Sequence, residues 1–171
     1  MYKLALMVLL MVVGCTESPK LDDQQGVYRN TAIPIYSAAV FDRSRFLAET
    51  WTEVATFESS GAAACGGGLL GFSTPYPGTQ AGYRLCRSGG MWTGSGRIEF
   101  FGQGRFTIAG LDDPFWVLWA DADMRTVVIG TPSGRFGFIL NRGGFPADRL
   151  TAARDILEWN GYDLSRLVLL K

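Results

Sequence analysis

The sequence predicts an all-β fold, either an antiparallel barrel or a sandwich, with one helix near the C-terminal end. Eight short segments are rich in β-branched and aromatic residues and alternate in hydrophobicity, as half-buried strands do. Turns marked by glycine and proline separate these segments at regular spacing, which is typical of antiparallel sheets and not of βαβ units. A single segment near the C-terminus has helical periodicity instead.

The predicted strands lie between residues 50 and 141, and a short last strand follows the helix. A proline-rich turn at 74–78 separates the second strand from the third, and a similar turn at 131–134 separates the seventh from the eighth. The nine segments are 50–57, 66–73, 80–86, 96–101, 104–109, 115–120, 125–130, 135–141 and 164–170.

The helix is predicted to begin at Pro146 and to end before Gly161, because proline favours the first turn of a helix and glycine its C-terminal cap. Leu150, Ala153 and Leu157 share one face of this helix. The strands before it already supply the enclosed core, so we expect this apolar face to pack against the outside of the sheet.

The N-terminus has the layout of a secretory signal peptide. Lys3 is followed by ten apolar residues, 4–13, and then by Gly14 and Cys15. The apolar run is far shorter than the roughly 20 residues that span a bilayer. The ending VVGC resembles a bacterial lipoprotein signal, in which cleavage leaves Cys15 first in the chain and acylated. The alternative is an ordinary signal peptide with an incidental cysteine.

The lipoprotein interpretation divides the chain into a signal peptide at 1–14, a tether and barrel-end segment at 15–40, and a barrel at 41–171. By resemblance to sorted lipoproteins, Thr16 after the cysteine favours the bacterial outer membrane, with the protein facing the periplasm. The acyl chains would hold it there, because each buried methylene contributes about 0.8 kcal/mol.

Composition and charge exclude several function classes. Sixteen lysines and arginines balance sixteen aspartates and glutamates, so there is no basic surplus for nucleic acid or anionic lipid. The chain has no histidine, which excludes a Ser-His-Asp or Cys-His relay, a histidine zinc site and a histidine-ligated haem. We therefore predict no catalytic residue, no metal site and no cofactor.

Cys65 and Cys86 remain as an even pair once Cys15 is assigned to the anchor. They flank the turn at 74–78, so a hairpin would set them opposite each other near one rung, with β-carbons about 4.5–5.5 Å apart. An oxidising compartment then favours a disulfide between them, worth about 3 kcal/mol. The alternative is two buried thiols.

Four segments, taken together and in order, resemble the lipocalin family, and most closely its bacterial outer-membrane lipoproteins. They are FDRSRFLAETWTEVATF (41–57), FWVLWADADMRTVVIG (115–130), RFGFILNR (135–142) and FPADRLTAARDILEWNGYDLSRLVLL (145–170). Three features depart from the family pattern. Glu49 replaces the glycine of Gly-x-Trp, Asp123-Met124 replaces an acidic-aromatic pair, and residues 58–111 match poorly.

The resemblance implies an eight-stranded antiparallel up-and-down barrel with one C-terminal α-helix and a short ninth strand. It also assigns Trp51 and Arg142 to the closed end of this barrel. There a guanidinium over an indole face would give a cation–π contact of about 0.5–2 kcal/mol. The role of this pair is structural and not catalytic.

Strand alternation predicts which residues line the barrel. Glu53 shares the parity of Trp51 on the first strand, and the inward positions of the eighth strand follow by counting back in twos from Arg142. On the sixth strand the alternation leaves open whether positions 116 and 118 or positions 117 and 119 point inward. The predicted ligand-binding residues are Glu53, Ala55, Phe57, Trp116, Phe136, Phe138 and Leu140.

Glu53 is the single charged residue in this set, and a carboxylate in an apolar cup needs a partner or a raised pKa. One interpretation is a polar anchor for a ligand head group. The other is a hydrogen bond to a tyrosine or to the barrel backbone.

The resemblance implies a lipid-anchored protein that binds a small hydrophobic or amphiphilic molecule, such as a fatty acid or lysophospholipid, for storage or transport in the cell envelope. Burial of the ligand's methylene groups would drive binding. Two alternatives remain open. One is a barrel filled by its own side chains that acts through its surface on another protein, and the other is a cysteine-dependent enzyme on the same barrel.

Overall fold

The computed structural model describes residues 26–57, 65–74, 78–87 and 90–170. It contains two helices, one 3₁₀ turn and nine strands within these ranges. In chain order they are α1 (Arg43–Leu47), β1 (Trp51–Phe57), β2 (Gly68–Ser73), β3 (Gln80–Arg87), β4 (Gly90–Gly102), β5 (Arg105–Ile108), β6 (Phe115–Ala120), β7 (Thr126–Gly130), β8 (Gly137–Asn141), α2 (Ala147–Trp159), the 3₁₀ turn (Leu164–Arg166) and β9 (Leu167–Leu169).

The strands form one closed antiparallel barrel. They are hydrogen-bonded in the order β2-β3-β4-β5-β6-β7-β8-β1-β9, and β2 also pairs with β1, so eight strands close on themselves and β9 is extra. β2 pairs with β1 from Trp51–Leu70 to Glu53–Gly68, and β9 takes the next part of β1, from Ala55–Leu169 to Phe57–Leu167. The predicted eight-stranded barrel with a C-terminal helix and a ninth strand is confirmed.

β4 is the element that the sequence pattern underestimates. It begins at Gly90 rather than at residue 96, and its first part, residues 90–97, pairs with the whole of β3, from Gln80–Arg97 to Arg87–Gly90. Glycine is depleted in strands, so the glycines between residues 90 and 96 gave no strand signal in the sequence. At Gly94 the ring and hydroxyl of Tyr83 occupy the space that a β-carbon would need. The glycine therefore admits a neighbouring aromatic ring.

Buried hydrophobic residues form two clusters in the described part of the chain. The inner core lies inside the barrel, and the outer core lies between the barrel wall, α2 and the N-terminal segment. The inner core is Phe41, Phe46, Trp51, Leu70, Ala81, Tyr83, Leu85, Ile98, Phe106, Ile108, Phe115, Val117, Met124, Val127, Ile129, Phe136, Phe138 and Leu140. The outer core is Tyr28, Ala55, Phe57, Leu118, Val128, Ile139, Ala153, Leu157 and Tyr162.

One end of the barrel is closed by α1 and the start of β1. The Asp42 carboxylate caps α1 by accepting a hydrogen bond from the Arg45 N–H. Phe46 is fully buried, and its ring lies 5.5 Å from that of Trp51. The Trp51 indole N–H donates to the Phe46 carbonyl at 3.0 Å, which joins the helix to the first strand. We call this the α1 end of the barrel.

α2 lies against β6 and β7 on the outer surface, as its apolar face predicted. Ala153 and Leu157 are fully buried there, and Leu150 packs beside them. Residues 26–40 run over the same side of the barrel. Arg29 fixes this segment by donating to the carbonyls of Asn160 at 3.0 Å and Pro132 at 2.7 Å.

The predicted signal peptide, Cys15 and Thr16 lie outside the described residues, as do residues 15–25 of the predicted tether. None of the helices in the described ranges is long and apolar enough to cross a membrane.

Tyr162 links the outer core to the turn between β7 and β8. Its hydroxyl accepts a hydrogen bond from the Thr131 N–H at 2.8 Å and donates to the Phe136 carbonyl at 2.7 Å. Desolvation of this buried phenol raises its pKa from 10.0 to about 12. The folded protein therefore keeps Tyr162 protonated at a pH at which an unfolded tyrosine is ionised.

We predict a loss of stability between pH 10 and pH 12 that depends on Tyr162, since its pKa rises from 10.0 to about 12 on folding. The contribution is complete below the lower value and is lost as the pH passes the higher one. Its size is about 3 kcal/mol. Urea unfolding across this pH range measures it.

Tyr162→Phe is the control. It lowers stability near neutral pH by about 1–3 kcal/mol, because the Thr131 N–H loses its acceptor. Its stability then falls less between the two pH values than that of the unsubstituted protein. Parallel pH profiles for the two proteins would contradict the assignment.

Candidate functional site

Aromatic rings occupy the barrel interior from the α1 end to the opposite end. The Phe46 and Phe106 centroids are 6.0 Å apart, and those of Phe106 and Phe115 are 5.6 Å apart. Phe136 continues the series at 5.8 Å from Phe115 and stacks on Trp92 at 5.7 Å. This continuous set of rings makes the interior apolar along its length.

Phe136, Phe138 and Leu140 belong to the inner core, as the alternation along the eighth strand predicted. Glu53 also points inward, because it pairs with Leu140 of β8 on one side and with Gly68 of β2 on the other. Its side chain is completely buried. Contact of these four residues with a ligand stays a prediction.

Ala55 and Phe57 were predicted to face inward, and the structure places both in the outer core. The cause is a β-bulge. The register of β1 against β8 shifts between Glu53 and Ala55, and an extra residue, Val54, reverses which side the following residues face. Thr56 takes the inward position instead. The prediction for Ala55 and Phe57 is therefore wrong.

Trp116 was also predicted to line the barrel, and it packs against the outer core. Its ring is covered by the Arg105 guanidinium, whose central carbon lies 4.1 Å from the ring centroid. Val117 points inward with Phe115. A register shift between Val117 and Trp119 leaves Trp119 outside as well. Neither predicted alternative, positions 116 and 118 inward or positions 117 and 119 inward, is therefore correct.

Arg142 closes the α1 end without the predicted cation–π contact to Trp51, which is not among the cation–π pairs of the described residues. Its guanidinium donates to the carbonyls of Met124 at 2.6 Å and Asp123 at 3.1 Å. It also forms an ion pair with Glu49 at 3.1 Å. The residue that replaces the family glycine thus supplies a partner for the arginine.

The predicted disulfide between Cys65 and Cys86 is absent from the structure, in which Cys86 is a free and buried thiol. The hairpin register explains this. Leu69 faces Arg84, so the same register sets Cys86 opposite Gly67 and not opposite Cys65. Diagonal neighbours in a sheet are about 7–8 Å apart, which is too far for the bond without backbone movement.

Glu53 and Arg87 form a buried ion pair inside the barrel. Glu53 Oε1 and Arg87 Nη1 are 2.8 Å apart, and the two side chains are 0% and 8% exposed. Glu53 Oε2 accepts a hydrogen bond from the Cys86 N–H at 2.7 Å. A β-carbon on Gly68 would collide with this oxygen. Glycine therefore leaves room for the carboxylate between β2 and β3.

Arg87 is held on one side only. Its Nη1 donates to Glu53, to Thr56 Oγ1 at 3.1 Å and to the Cys86 carbonyl. The guanidinium carbon lies 4.9 Å from the ring centroid of Phe138 and 5.4 Å from that of Phe136. Among the described residues, buried Nε and Nη2 have no hydrogen-bond partner.

Glu53 therefore has the partner that a buried carboxylate needs, and neither predicted interpretation of it is complete. Burial raises the pKa of the Glu53 carboxyl, and the charge of Arg87 opposes that rise. Sequence reasoning missed Arg87. Two signals were available: buried Glu53 needs a partner, and Arg87 directly follows the predicted third strand. We call Glu53, Thr56 and Arg87 the polar cluster, and we call Phe136 and Phe138 its aromatic wall.

Comparison with known proteins agrees with this fold. A family profile described as a lipocalin-like domain matches residues 88–171. No curated protein sequence matches the chain.

Similar solved structures share little sequence identity with the chain, so they show the fold alone. The cockroach allergen Per a 4 has 12% identity and a TM-score of 0.60, with 81% of this chain and 93% of the allergen covered. Insecticyanin from the tobacco hornworm Manduca sexta has 15% identity and a TM-score of 0.54, with 81% and 87% covered. The siderocalin Ex-FABP, which functions through dual ligand specificities, has 12% identity and a TM-score of 0.54, with 71% and 91% covered.

A closed eight-stranded barrel with a C-terminal helix and an extra strand defines a lipocalin-like fold. The domain match over residues 88–171 and the structural neighbours agree with this fold.

We predict that Arg142→Ala lowers the melting temperature by about 3–6 °C, because two hydrogen bonds to backbone carbonyls and an ion pair are lost, at about 1–2 kcal/mol in total. Glu49→Ala removes the ion pair and leaves the carbonyl contacts. It should lower the melting temperature by about 2 °C or less. Differential scanning calorimetry compares the two. An unchanged melting temperature for Arg142→Ala would remove Arg142 from the closure of the barrel.

Proposed function

We propose that this protein is a lipid-anchored lipocalin that binds a small hydrophobic or amphiphilic molecule, of the fatty acid or lysophospholipid class, inside its barrel. It stores or transports this ligand in the cell envelope. The observation that carries the proposal is an interior of aromatic rings with one polar cluster at the end opposite α1. Such an interior suits a molecule with an apolar tail and one polar group.

The second candidate is a barrel that is filled by its own side chains and acts through its surface on another protein. The continuous ring contacts from Phe46 to Trp92 favour it. A cysteine-dependent enzyme, with Cys65 or Cys86 as the nucleophile, is less well supported. The Cys86 thiol is completely buried and a nucleophile needs access to its substrate, and the chain has no histidine to activate either thiol. Proteins of this fold are generally binding and transport proteins.

Titration with a fluorescent fatty acid tests the proposal, with a matched pair of variants. Phe138 and Phe57 are each 2% exposed, and Phe138 is in the inner core whereas Phe57 is in the outer core. We expect saturable binding by the unsubstituted protein. Phe138→Leu should weaken it severalfold, and Phe57→Leu should leave it unchanged although both variants lose stability.

No saturable binding by any of the three proteins would contradict ligand binding and favour the filled barrel. Equal effects of the two leucine variants on affinity would place the ligand somewhere other than the barrel interior.

The anchor is tested in bacterial cells that express the full chain with labelled palmitate. We predict that the label is incorporated and that the protein fractionates with the outer membrane. Cys15→Ser should abolish both, because the acylated sulfur is removed, and Cys86→Ser should keep the label. Labelling that persists in Cys15→Ser would contradict the anchor.

A further inference from the structure

The guanidinium of Arg87 has one edge that makes hydrogen bonds and one edge that makes none with the described residues. Within the described part of the chain, Nη1 makes all of its hydrogen bonds, to Glu53, Thr56 and the Cys86 carbonyl. Nε and Nη2 are buried, and within the described ranges they have no acceptor. A buried donor without an acceptor is destabilising, so two adjacent ones on the same group need an explanation.

We propose that the Nε–Nη2 edge of Arg87 is the receptor for an anionic ligand head group with two equivalent oxygens. This inference rests on the proposed function, because it names the part of the ligand that the barrel recognises. The N–H bonds of Nε and Nη2 are parallel, and this fork matches a carboxylate with two hydrogen bonds. A phosphodiester presents the same pair of oxygens.

Glu53 prepares Arg87 for this role. It fixes Nη1 at 2.8 Å, and Thr56 Oγ1 accepts from the same nitrogen at 3.1 Å, so the Nε–Nη2 edge is held in one orientation. A guanidinium has five donors and can therefore serve two carboxylates on different edges. The receptor loses little conformational freedom on binding because its side chain is already fixed.

The rings beside Arg87 suit the tail of the same ligand. Phe138 and Phe136 lie against the guanidinium, and Trp92 stacks on Phe136 at 5.7 Å. A tail attached to a head group at Arg87 would contact these rings directly. The arrangement therefore selects amphiphiles with an anionic head over neutral molecules of equal length.

The test compares a fatty acid, the fatty alcohol of the same chain length and a lysophospholipid, by competition with a fluorescent probe on the folded full barrel. We expect the affinity for the acid to exceed that for the alcohol by about tenfold or more. If the lysophospholipid also exceeds the alcohol, the receptor takes phosphodiesters as well. If it does not, the receptor is for carboxylates.

Arg87→Lys keeps a cation beside Glu53 and removes the Nε–Nη2 edge, so it should bring acid and alcohol to within about twofold of each other. Arg105→Lys is the matched control, because Arg105 also lies over an aromatic ring, Trp116, outside the barrel. It should preserve the preference for the acid. If Arg87→Lys does not fold, the NMR signal of the Arg87 Nε–H in the unsubstituted protein decides: it should shift with the acid and not with the alcohol.

Equal affinity of the unsubstituted protein for acid and alcohol would overturn the receptor and leave the proposed function intact. A preference for the acid that survives in a folded Arg87→Lys protein would also overturn it. If the probe itself does not bind, the proposed function fails instead. If the probe binds and none of the three ligands displaces it, the receptor is overturned.

Discussion

The ion pair between Glu53 and Arg87 holds the barrel together where strand pairing between β1 and β2 stops. That pairing ends at Glu53–Gly68, and β9 takes the edge of β1 beyond it. Arg87, at the end of β3, reaches across to Glu53 and Thr56 of β1. Side-chain contacts therefore continue a connection that the backbone no longer makes.

This device has a thermodynamic cost that apolar side chains would not have. Taking two charges out of water offsets most of their attraction, and replacing such a pair by packed apolar residues is often neutral or stabilising. Glu53 has both oxygens occupied, whereas Arg87 keeps two unmet donors. A purely structural pair gains nothing from that surplus. The surplus is explained if the arginine also serves a ligand, and this is the argument for treating the cluster as a site.

Periodicity and turn residues predicted the strands, the outer position of α2 and the inward face of β8, because these features are determined locally. The choice of a closed up-and-down barrel over a sandwich came from the resemblance to the lipocalin family. Periodicity failed where one residue changes the period. The bulge at Val54 moved Ala55 and Phe57 to the outer face, and a register shift in β6 placed Trp119 outside although Val117 points inward. Arg87 could not be found by pattern, since its partner is far away along the chain and is brought near only by barrel closure. Side-chain chemistry predicted that Glu53 needs a partner or a raised pKa, without predicting that the partner is Arg87.

The division into two cores also relates the proposed anchor to the proposed receptor. Tyr28 donates its N–H to the Gly134 carbonyl at 2.8 Å, in the turn between β7 and β8. Phe136, which follows this turn, lies against Arg87. The chain from Cys15 therefore joins the barrel at the end where Arg87 lies, opposite α1. A protein held by acyl chains on Cys15 has this end tethered to the bilayer, which is where an anionic amphiphile resides. The proposed anchor and the proposed receptor would then act at the same end of the barrel, where Arg87 lies against Phe136 and Phe138.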